Sequence, residues 1–419
     1  MAILDELEWR GLVVETTDRE GINKLPPGTA CYVGVDPTAR SIHIGNLVPL
    51  LAAMHLGRAG LKPIILFGGA TGSIGDPSGK RAERQLLDRA TIEANVAAIS
   101  ATVHRIFDRA GVAADFVNNF DWTAPVSILD FLRDIGKHFT INYMLQKESV
   151  KTRVEGDGGM SFTEFSYMLL QSFDFLHLYE AKNCRLQFGG TDQWGNITAG
   201  LELIRRKIQG DAYAFSVPLI LDSQGRKFGK SEGGAVWLDE TMTSPFKFHQ
   251  FWLNVPDTDV LRYLPFYTFL SQAEIAGLAE QMRSAPQERA AQRALADAVC
   301  TLVHGAAATE DARRSAQVLF GGSMAGLTDP QLEEIFRDVP SLTLPRERFA
   351  AMSVVELFAE AGLAASKGEA RRLVASGGAY LSNERVTEPT AMGATLAPDR
   401  SIVVLRSGRK NYCLLRVEG

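Results

Sequence analysis

Residues 31–67 read CYVGVDPTARSIHIGNLVPLLAAMHLGRAGLKPIILF, and their pattern sets the expected fold class. The first five residues are apolar or β-branched and predict a buried strand, which a polar turn at 36–41 ends. Pro63 and the apolar run 64–67 predict a second buried strand. Between the strands lie apolar residues mostly at helical spacing, namely Leu47, Leu50, Leu51, Met54 and Leu61. Strand, helix and strand in this order predict a βαβ unit and therefore a parallel sheet.

The same alternation continues on the carboxyl side of this unit. Residues 91–110 predict an amphipathic helix, with apolar side chains at three- and four-residue steps. A strand at 186–188 leads through GGTDQWG into a helix near 196–207, and 215–221 predict a further strand. We therefore expect an α/β fold over residues 1–240, a doubly wound, Rossmann-like parallel sheet with ligands at the carboxyl ends of its strands.

The rest of the chain predicts two more domains and a linker. Residues 241–320 are rich in Ala, Leu, Glu and Arg and predict a helical domain. Residues 321–350 contain Gly-Gly-Ser, Pro340 and Pro345 and predict an irregular linker. Residues 351–419 predict a small α+β domain. Its expected elements are helices at 353–361 and 366–376, followed by strands near 379–387, 401–406 and 411–417.

Composition and charge exclude several classes of protein. The 419 residues are 46% hydrophobic and 22% charged, as in an ordinary globular protein. A net charge of −5 argues against a general polyanion binder, so nucleic acid would need a local basic patch. The amino terminus does not resemble a signal peptide, and no window approaches the ~20 apolar residues of a membrane span. Four scattered cysteines and seven histidines form no metal-ligand pattern, and free thiols favour the cytoplasm.

A first nucleotide-binding signal lies in the turn between the first strand and its helix. His43, Gly45 and Asn46 stand at the predicted helix start, where unpaired backbone N–H groups and the helix dipole attract phosphate. Gly45 would let a ligand approach the backbone closely. Taken alone, a histidine at a helix start is more often structural, so this signal needs a second one.

The second signal is the segment Lys227-Phe228-Gly229-Lys230-Ser231, in a polar, glycine-rich loop. Two lysines three residues apart suit a loop that closes over phosphates, because lysine supplies charge as a leaving pyrophosphate becomes more negative. An exposed basic loop is the alternative and is more common for such a pattern alone. The run GGATGSIGDPSGK at 68–80 is not a P-loop, since Ile74 replaces the required glycine.

The segment 161–178 predicts a buried helix, because it is apolar on most faces. Tyr167, Gln171 and Asp174 nevertheless lie at i, i+4 and i+7, which places them on one face. This polar stripe is either a solvent-exposed edge or the wall of a buried polar pocket. We favour the pocket, because a small zwitterionic ligand with a hydroxyl group would supply the hydrogen bonds that such side chains need.

Together these motifs resemble a known family. His43-Ile44-Gly45-Asn46 resembles the HIGH signature of class I aminoacyl-tRNA synthetases, and the loop at 227–231 resembles their KMSKS signature. Bacterial tyrosyl-tRNA synthetases are similar over essentially the whole chain, including an S4-like carboxyl-terminal domain. The segments that carry this resemblance are 68–80, 131–144, 161–175, 188–206 and 227–239.

The resemblance implies three sets of site residues. The implied tyrosine-binding set is Tyr32, Thr71, Asp76, Tyr167, Gln171, Asp174 and Gln193. The implied ATP- or adenylate-binding set is Gly34, Asp36, Thr38, His43, Gly45, Asn46, Gly190, Asp192 and Lys230. The implied catalytic set, directed at the phosphates, is His43, Asn46, Lys80, Arg84, Lys227, Lys230 and Ser231.

Within these sets the resemblance implies individual roles. Tyr32 and Asp174 would bind the substrate phenol, which phenylalanine lacks. The α-ammonium group would be held by Tyr167, Gln171 and Asp76, and the ribose by Asp36, Gly190 and Asp192. Two positions depart from the family. Asn46 replaces a histidine, and Val33 stands where some members have cysteine, so that a ribose contact is expected to be missing.

The tail carries nine Lys and Arg against seven Asp and Glu, unlike the acidic chain as a whole. Its basic side chains form either a solvated face or an RNA contact. The resemblance to an S4-like domain implies the second, through Lys367, Arg371, Arg372, Arg409 and Lys410. The family resemblance also implies a homodimer, with tRNA(Tyr), L-tyrosine and ATP as substrates. Mg²⁺ is expected with the nucleotide.

We therefore expect a cytoplasmic tyrosine—tRNA ligase that forms tyrosyl-adenylate and then charges tRNA. Two alternatives remain open at this point. A related enzyme could adenylate a different acid, but it would not need the tail or the pair Tyr32 and Asp174. A non-catalytic RNA-binding protein could retain the fold, but it would not need His43 or the two loop lysines.

Overall fold

The computed structural model describes residues 2–78, 86–154, 159–221, 225, 228, 230–231, 234–318, 321–337, 339–397, 399–408 and 411–419. For Ser149, Lys230 and Ser231 it describes the backbone alone. None of the helices in these ranges combines the length and apolar character of a transmembrane span. The chain divides into two compact units, Met1–Gly305 and Ala306–Gly419.

A five-stranded parallel sheet forms the centre of the described part of the first unit. Its strands are β1 (Ala30–Val35), β2 (Lys62–Phe67), β3 (Asp115–Asn118), β4 (Cys184–Gly190) and β5 (Tyr213–Val217). Their order is β3-β2-β1-β4-β5, so the direction of winding reverses between β1 and β4. Tyr32 of β1 lies opposite Ile64 of β2 and Gln187 of β4. Ligands of doubly wound sheets bind at such a reversal, and the predicted fold class is confirmed.

Helices cover both faces of this sheet. They are α1 (Ile3–Trp9), α2 (Arg19–Asn23), α3 (Ile44–Arg58), α4 (Arg89–Ala110), α5 (Phe120–Thr123), α6 (Ile128–Asp134), α7 (Ile141–Leu145), α8 (Glu148–Val154), α9 (Phe162–Lys182) and α10 (Trp194–Ile208). A short hairpin, β6 (Lys230–Ser231) and β7 (Gly234–Ala235), follows. The two longest helices, α4 and α9, are capped at their amino termini by Asp88 and Ser161. The side chain of each capping residue accepts a hydrogen bond from a backbone N–H of the first turn.

The helices after residue 240 pack on the sheet unit instead of forming a separate body. They are α11 (Pro245–Leu253), α12 (Asp257–Tyr267), α13 (Gln272–Ser284) and α14 (Ala290–His304). Trp252, Tyr263 and Leu295 belong to the same apolar cluster as Leu47 and Leu50 of α3. This shared core explains why the compact unit continues to residue 305, beyond the domain end expected at 240.

The second unit contains a mixed sheet with helices, as predicted for a small α+β domain. Its helices are α15 (Ala306–Val318), α16 (Asp329–Ile335), α17 (Arg346–Ala351), α18 (Val354–Glu360), α19 (Lys367–Ala375) and α20 (Gly393–Leu396). Its strands are β8 (Ser341–Pro345), β9 (Ala379–Leu381), β10 (Glu384–Arg385), β11 (Ile402–Ser407) and β12 (Asn411–Glu418), in the order β10-β9-β11-β12-β8.

The structure corrects the expectation of an irregular linker at 321–350. This segment contains α16, β8 and most of α17, and β8 pairs in parallel with β12 at the edge of the sheet. The two prolines that suggested a linker flank β8: Pro340 precedes it, and Pro345 is its last residue. Proline is tolerated at the ends of an edge strand, so it does not exclude a strand there.

Candidate active site

The described residues enclose a cavity of about 810 Å³ at the carboxyl ends of β1 and β4. All seven residues of the expected tyrosine-binding set line this cavity. Eight of the nine residues in the expected ATP set line it as well. They are Gly34, Asp36, Thr38, His43, Gly45, Asn46, Gly190 and Asp192. The sheet therefore brings together residues that are up to about 160 positions apart in the chain.

Helix α9 forms one wall of the cavity. Its polar stripe faces inward: Tyr167 and Asp174 are buried, and Gln171 is half-buried with its Oε1 atom shielded from solvent. The alternative of a solvent-exposed edge is therefore wrong. Among the described residues the Gln171 Oε1 atom has no hydrogen-bond partner, so a donor group of a ligand would satisfy this buried oxygen.

Asp174 of α9 and Tyr32 of β1 are the most buried members of the expected tyrosine-binding set. The Asp174 carboxylate accepts hydrogen bonds from Asn119 Nδ2 at 3.0 Å and from Trp122 Nε1 at 2.9 Å. Burial raises the pKa of Asp174 to about 7, although these two donors oppose the shift. Tyr32 is only 1% exposed, and its hydroxyl finds no partner within the described ranges. This end of the cavity suits a neutral hydroxyl group that can both donate and accept.

A second polar group surrounds Asp76. Its carboxylate accepts hydrogen bonds from Gln193 Nε2 at 2.5 Å, from the backbone N–H of Ser78 at 3.0 Å and from Asn196 Nδ2 at 3.5 Å. Nearby donors thus hold this buried carboxylate in a fixed orientation. A fixed negative charge inside a shielded cavity attracts a cationic ligand group such as an ammonium.

Asp36, a member of the expected ATP set, contacts two members of the expected tyrosine-binding set. It follows β1 directly, and its two oxygens accept hydrogen bonds from Thr71 Oγ1 and from Tyr167 Oη, each at 2.7 Å. These contacts connect the turn after β1 with α9. The family resemblance implies that Asp36 contacts the ribose and Tyr167 the ammonium group, and the two side chains are hydrogen-bonded to each other.

His43 and Asn46, at the amino terminus of α3, line the cavity. His43 caps the helix: its Nδ1 accepts the Gly45 N–H at 3.0 Å, so the neutral ring carries its proton on Nε2. The side-chain oxygen of Asn46 accepts the His43 N–H at 3.2 Å, which leaves the amide NH₂ as the donor end of Asn46. The Ile44 and Gly45 N–H groups donate within the chain, to the Val236 carbonyl and to His43, so the donors here that suit an anion are the side chains of His43 and Asn46.

The described lining of the cavity is acidic. It contains Asp36, Asp76, Asp174 and Asp192 and no lysine or arginine. The predicted phosphate-binding residues Lys80, Arg84 and Lys227 lie outside the described residues, and for Lys230 and Ser231 only the backbone of β6 is described. Their roles therefore stay predictions.

Sequence reasoning missed three hydrogen-bonding residues of the site, Asn119, Trp122 and Asn196. Asn119 follows β3 and Trp122 lies in α5, so a prediction of β3 would have placed both at the carboxyl edge of the sheet. Asn196 lies within the GGTDQWGN segment but has no distinguishing pattern. Its contact with Asp76 depends on tertiary packing alone.

In the tail, Arg371 and Arg372 are exposed on α19, and Lys367 pairs with Glu356 at 2.9 Å. Arg409 and Lys410 lie outside the described residues. Arg406, which is near them in sequence, is buried with its guanidinium over the Tyr380 ring at 3.8 Å. It therefore serves packing and does not extend an exposed basic face.

Comparison with known proteins identifies the family. The model for class I tRNA synthetases of the tryptophan and tyrosine type matches residues 27–321, and the model for the tyrosine—tRNA ligase SYY-like carboxyl-terminal domain matches 331–415. A tyrosine—tRNA ligase from Geobacillus kaustophilus is 49% identical, over 99% of this chain and 100% of the relative. The chain belongs to the tyrosyl-tRNA synthetases. Another ligase of this family, from Roseiflexus castenholzii, is 48% identical over 99% of both chains.

Solved structures of tyrosyl-tRNA synthetases show the same fold. The crystal structure of a C-terminally truncated mitochondrial enzyme from Aspergillus nidulans is 31% identical, with a TM-score of 0.70. The match covers 76% of this chain and 94% of that one. The corresponding truncated enzyme from Coccidioides posadasii is 32% identical, with a TM-score of 0.67, over 74% of this chain and 91% of that one. The resemblance inferred from the two signature motifs is thus confirmed.

Proposed function

We propose that this chain is a tyrosine—tRNA ligase that works in two steps. In the first step the carboxylate of L-tyrosine attacks the α-phosphorus of ATP, forming tyrosyl-adenylate and releasing pyrophosphate. In the second step a hydroxyl of the terminal adenosine of tRNA(Tyr) takes the tyrosyl group and releases AMP. Neither step needs a covalent enzyme intermediate, so the protein contributes mainly positioning and charge stabilisation.

The observation that carries this proposal is the pair Asp174 and Tyr32 at the closed end of the cavity. Asp174 is fixed by two donors, and Tyr32 Oη is a buried hydroxyl with no partner among the described residues. A tyrosine phenol would satisfy both groups. Phenylalanine would leave them unpaired, and an unpaired buried polar group costs about 1–3 kcal/mol.

The remaining groups suit the zwitterionic end of tyrosine and the nucleotide. Asp76, Tyr167 and Gln171 would hold the α-ammonium group, with Thr71 and Gln193 beside them. Asp36, Gly190 and Asp192 would contact the ribose of ATP. His43 and Asn46 would donate to the phosphates from the amino terminus of α3. By resemblance Lys80, Arg84, Lys227, Lys230 and Ser231 would add positive charge and donors around the leaving pyrophosphate.

Mg²⁺ would enter with the nucleotide. Within the described ranges no group of three or more acidic, histidine or cysteine side chains could hold a metal ion. Phosphate oxygens would therefore supply most of the ligands, and the ion would neutralise charge on the departing pyrophosphate.

The experiment that tests the activity is amino-acid-dependent exchange of pyrophosphate into ATP. We expect exchange with L-tyrosine and at least about a hundredfold less, in kcat/KM, with L-phenylalanine and L-tryptophan. Exchange with tryptophan and none with tyrosine would overturn the substrate assignment. Absence of exchange with every amino acid would overturn the enzymatic function.

A homodimer is the proposed assembly. Large apolar side chains are exposed on four successive helices, α6 to α9: Ile128, Leu129, Leu132, Ile141, Leu145, Val154 and Phe162. Leu129 and Phe162 are 76% and 77% exposed, and exposed apolar side chains on successive helices support the proposal of an interface there. Sedimentation should give a dimer for the natural chain and a monomer for Phe162→Asp. The exposed Val14→Asp, away from these helices, should remain dimeric.

Binding of tRNA and the cellular location complete the proposal. The exposed Arg371 and Arg372 on α19 and the basic Lys367, Arg409 and Lys410 suit contacts with RNA phosphates. The free, buried cysteines suit the reducing cytoplasm, where translation takes place.

A further inference from the structure

Phe228 occupies an unusual position between two parts of the first unit. In sequence it lies directly after Lys227 and two residues before Lys230. In the structure it lines the active-site cavity. Its ring also contacts four aromatic rings of α11 and α12. The distances between ring centroids are 4.2 Å to Tyr263, 5.2 Å to Phe251, 5.5 Å to Trp252 and 6.0 Å to Tyr267.

These four residues, which we call the aromatic box, form a rigid receptor. Trp252, Tyr263 and Tyr267 are fully buried in the core that the helices share with the sheet. Trp252 and Tyr267 also contact each other edge to face at 4.7 Å. Aromatic pairs in this geometry contribute about 0.5–1.5 kcal/mol each beyond the area they bury. The box therefore holds the Phe228 ring in one place.

Backbone contacts hold the chain on both sides of the signature loop. On the amino side, the Phe228 N–H of the loop donates to the Ile220 carbonyl at 2.9 Å, and Tyr263 Oη donates to the Leu221 carbonyl at 3.1 Å. Tyr263 thus contacts the Phe228 ring and also holds the backbone at Leu221.

After the loop, the chain is fixed to the start of α3. Ile44 N–H donates to the Val236 carbonyl at 3.1 Å, and Leu238 N–H donates to the Ile42 carbonyl at 2.9 Å. These bonds place Trp237 beside His43, with ring centroids 6.2 Å apart. One end of the loop is therefore tied to α12 and the other to the phosphate-binding helix terminus.

We infer that Phe228 is a positioning residue for adenylate formation, acting as the fixed point from which the flanking lysines reach the phosphates. This inference rests on the proposed ligase activity. Phe228 is an apolar side chain in a polar, glycine-rich loop, and Gly225, on its amino side, has a positive φ of 77°, a conformation that suits glycine. A single well-packed anchor in such a loop limits the conformations that its charged side chains can adopt.

A positioning role for Phe228 affects kcat of adenylate formation and the affinity for tyrosine differently. Charge stabilisation by the loop is needed in the transition state, where the pyrophosphate leaves. The tyrosine pocket lies between β1, β4 and α9 and does not depend on the aromatic box. Loss of the Phe228 ring should therefore lower kcat of adenylate formation and leave tyrosine binding intact. A purely structural role would lower stability without this separation.

The test uses the full-length chain and three single variants, Phe228→Ala, Phe228→Met and Phe251→Ala. Phe269→Ala is the matched control, because Phe269 is also half-buried and aromatic, follows α12 and lies outside the cavity. We expect kcat of pyrophosphate exchange to fall by about tenfold or more in Phe228→Ala and by less than about threefold in Phe228→Met, whose flexible apolar side chain can still fill the box. The Kd of tyrosine should stay within about twofold in both.

The double variant Phe228→Ala with Phe251→Ala decides whether the box is the receptor. If it is, kcat of the double variant is no lower than kcat of the more impaired single variant, because that single substitution has already broken the contact. Multiplied losses, an unchanged kcat in Phe228→Ala, or an equal loss in Phe269→Ala would each overturn the inference. If the natural chain itself shows no tyrosine-dependent exchange, it is the proposed function that fails.

Discussion

At the residue scale, Asp174 is an ionisable side chain that is only 2% exposed and that, in the proposed function, accepts a substrate hydroxyl. Asn119 and Trp122 make this possible by donating one hydrogen bond to each of its oxygens. Burial nevertheless dominates and raises the pKa of Asp174 to about 7. The carboxyl group is therefore close to the balance between its protonated and ionised forms at neutral pH.

This raised pKa predicts a pH-dependent stability. Between an ordinary pKa of 3.8 and the folded value of about 7, the folded chain retains a proton that the unfolded chain has lost. The Asp174 contribution to the free energy of unfolding is therefore fully present below pH 3.8 and falls as pH rises to 7, by up to about 1.4 kcal/mol per pH unit. Urea denaturation of the natural chain and of Asp174→Asn, between pH 5 and 8, measures the difference in slope.

Other titrating groups cancel in that comparison, since both chains share them. The exposed Asp130→Asn serves as the control and should follow the natural chain. Parallel curves for the natural chain and Asp174→Asn would show that Asp174 ionises normally in the folded state.

Trp122→Phe should weaken tyrosine binding by removing one of the two donors to Asp174. A lost hydrogen bond to a charged group costs about 1.5–3 kcal/mol, so the KM for tyrosine should rise by about tenfold or more. The KM for ATP should not change, because Trp122 lies at the phenol end. Steady-state pyrophosphate exchange measures both, with Trp9→Phe on α1 as the control. An unchanged KM for tyrosine would mean that Trp122 only packs against His177, which it stacks on at 4.5 Å.

The sequence predicted the residues that lie in motifs and missed those that only support them. Tyr167, Gln171 and Asp174 share a helical face, so periodicity alone grouped them. Asn119 and Trp122 have no such spacing relative to Asp174 and reach it from a different segment of the chain. Only the order of strands in the sheet brings them together, and that order is a tertiary property.

At the scale of elements, α9 depends on its first turn. Ser161 and Glu164 form a capping box, and both carboxylate oxygens of Glu164 also accept hydrogen bonds from Arg153 of α8 at 2.8 Å. Arg153 donates further to the Gly159 carbonyl at 3.1 Å. This buried ion pair therefore ties the start of α9, the helix that carries the polar stripe, to α8.

Arg153→Met should destabilise the chain by about 3–5 kcal/mol, because it leaves the buried Glu164 carboxylate without its cation. Lys24→Met breaks an ion pair with Glu20 in which both side chains are exposed, so it should lower the free energy of unfolding by less than about 1 kcal/mol. Equilibrium urea denaturation measures both changes. Equal, small losses in the two variants would show that water reaches the Arg153 pair.

Element prediction succeeded where periodicity was strong and failed at two short edge strands, β3 and β8. The strands β1 and β2 and the helix α4 agree with their expected ranges within three residues. In contrast, β3 has four half-buried residues including a charged Asp115, and β8 is bounded by prolines. Edge strands contribute only one row of hydrogen bonds, so their sequences need not be apolar, and nothing local distinguishes them from loops.

At the scale of the whole molecule, the position of β8 changes where the tail should be cut. A deletion of residues 351–419 would remove β12, the pairing partner of β8, and expose the buried Leu344. An unpaired strand edge with apolar surface promotes aggregation. A deletion of 306–419 removes the second unit completely, and truncated relatives from two fungi have been crystallised.

The chain 1–305 should therefore form tyrosyl-adenylate at close to the full-length rate, because the cavity lies wholly within the first unit. Its charging of tRNA(Tyr) should fall by about a hundredfold or more, since the basic side chains of the tail would no longer contact RNA phosphates. Pyrophosphate exchange and aminoacylation, measured on the same preparation, separate the two activities.

The chain 1–350 should show the same kinetic pattern with a greater tendency to aggregate. Full charging of tRNA by the chain 1–305 would show that the tail is not needed for tRNA recognition. Loss of pyrophosphate exchange would show that the second unit supports the active site.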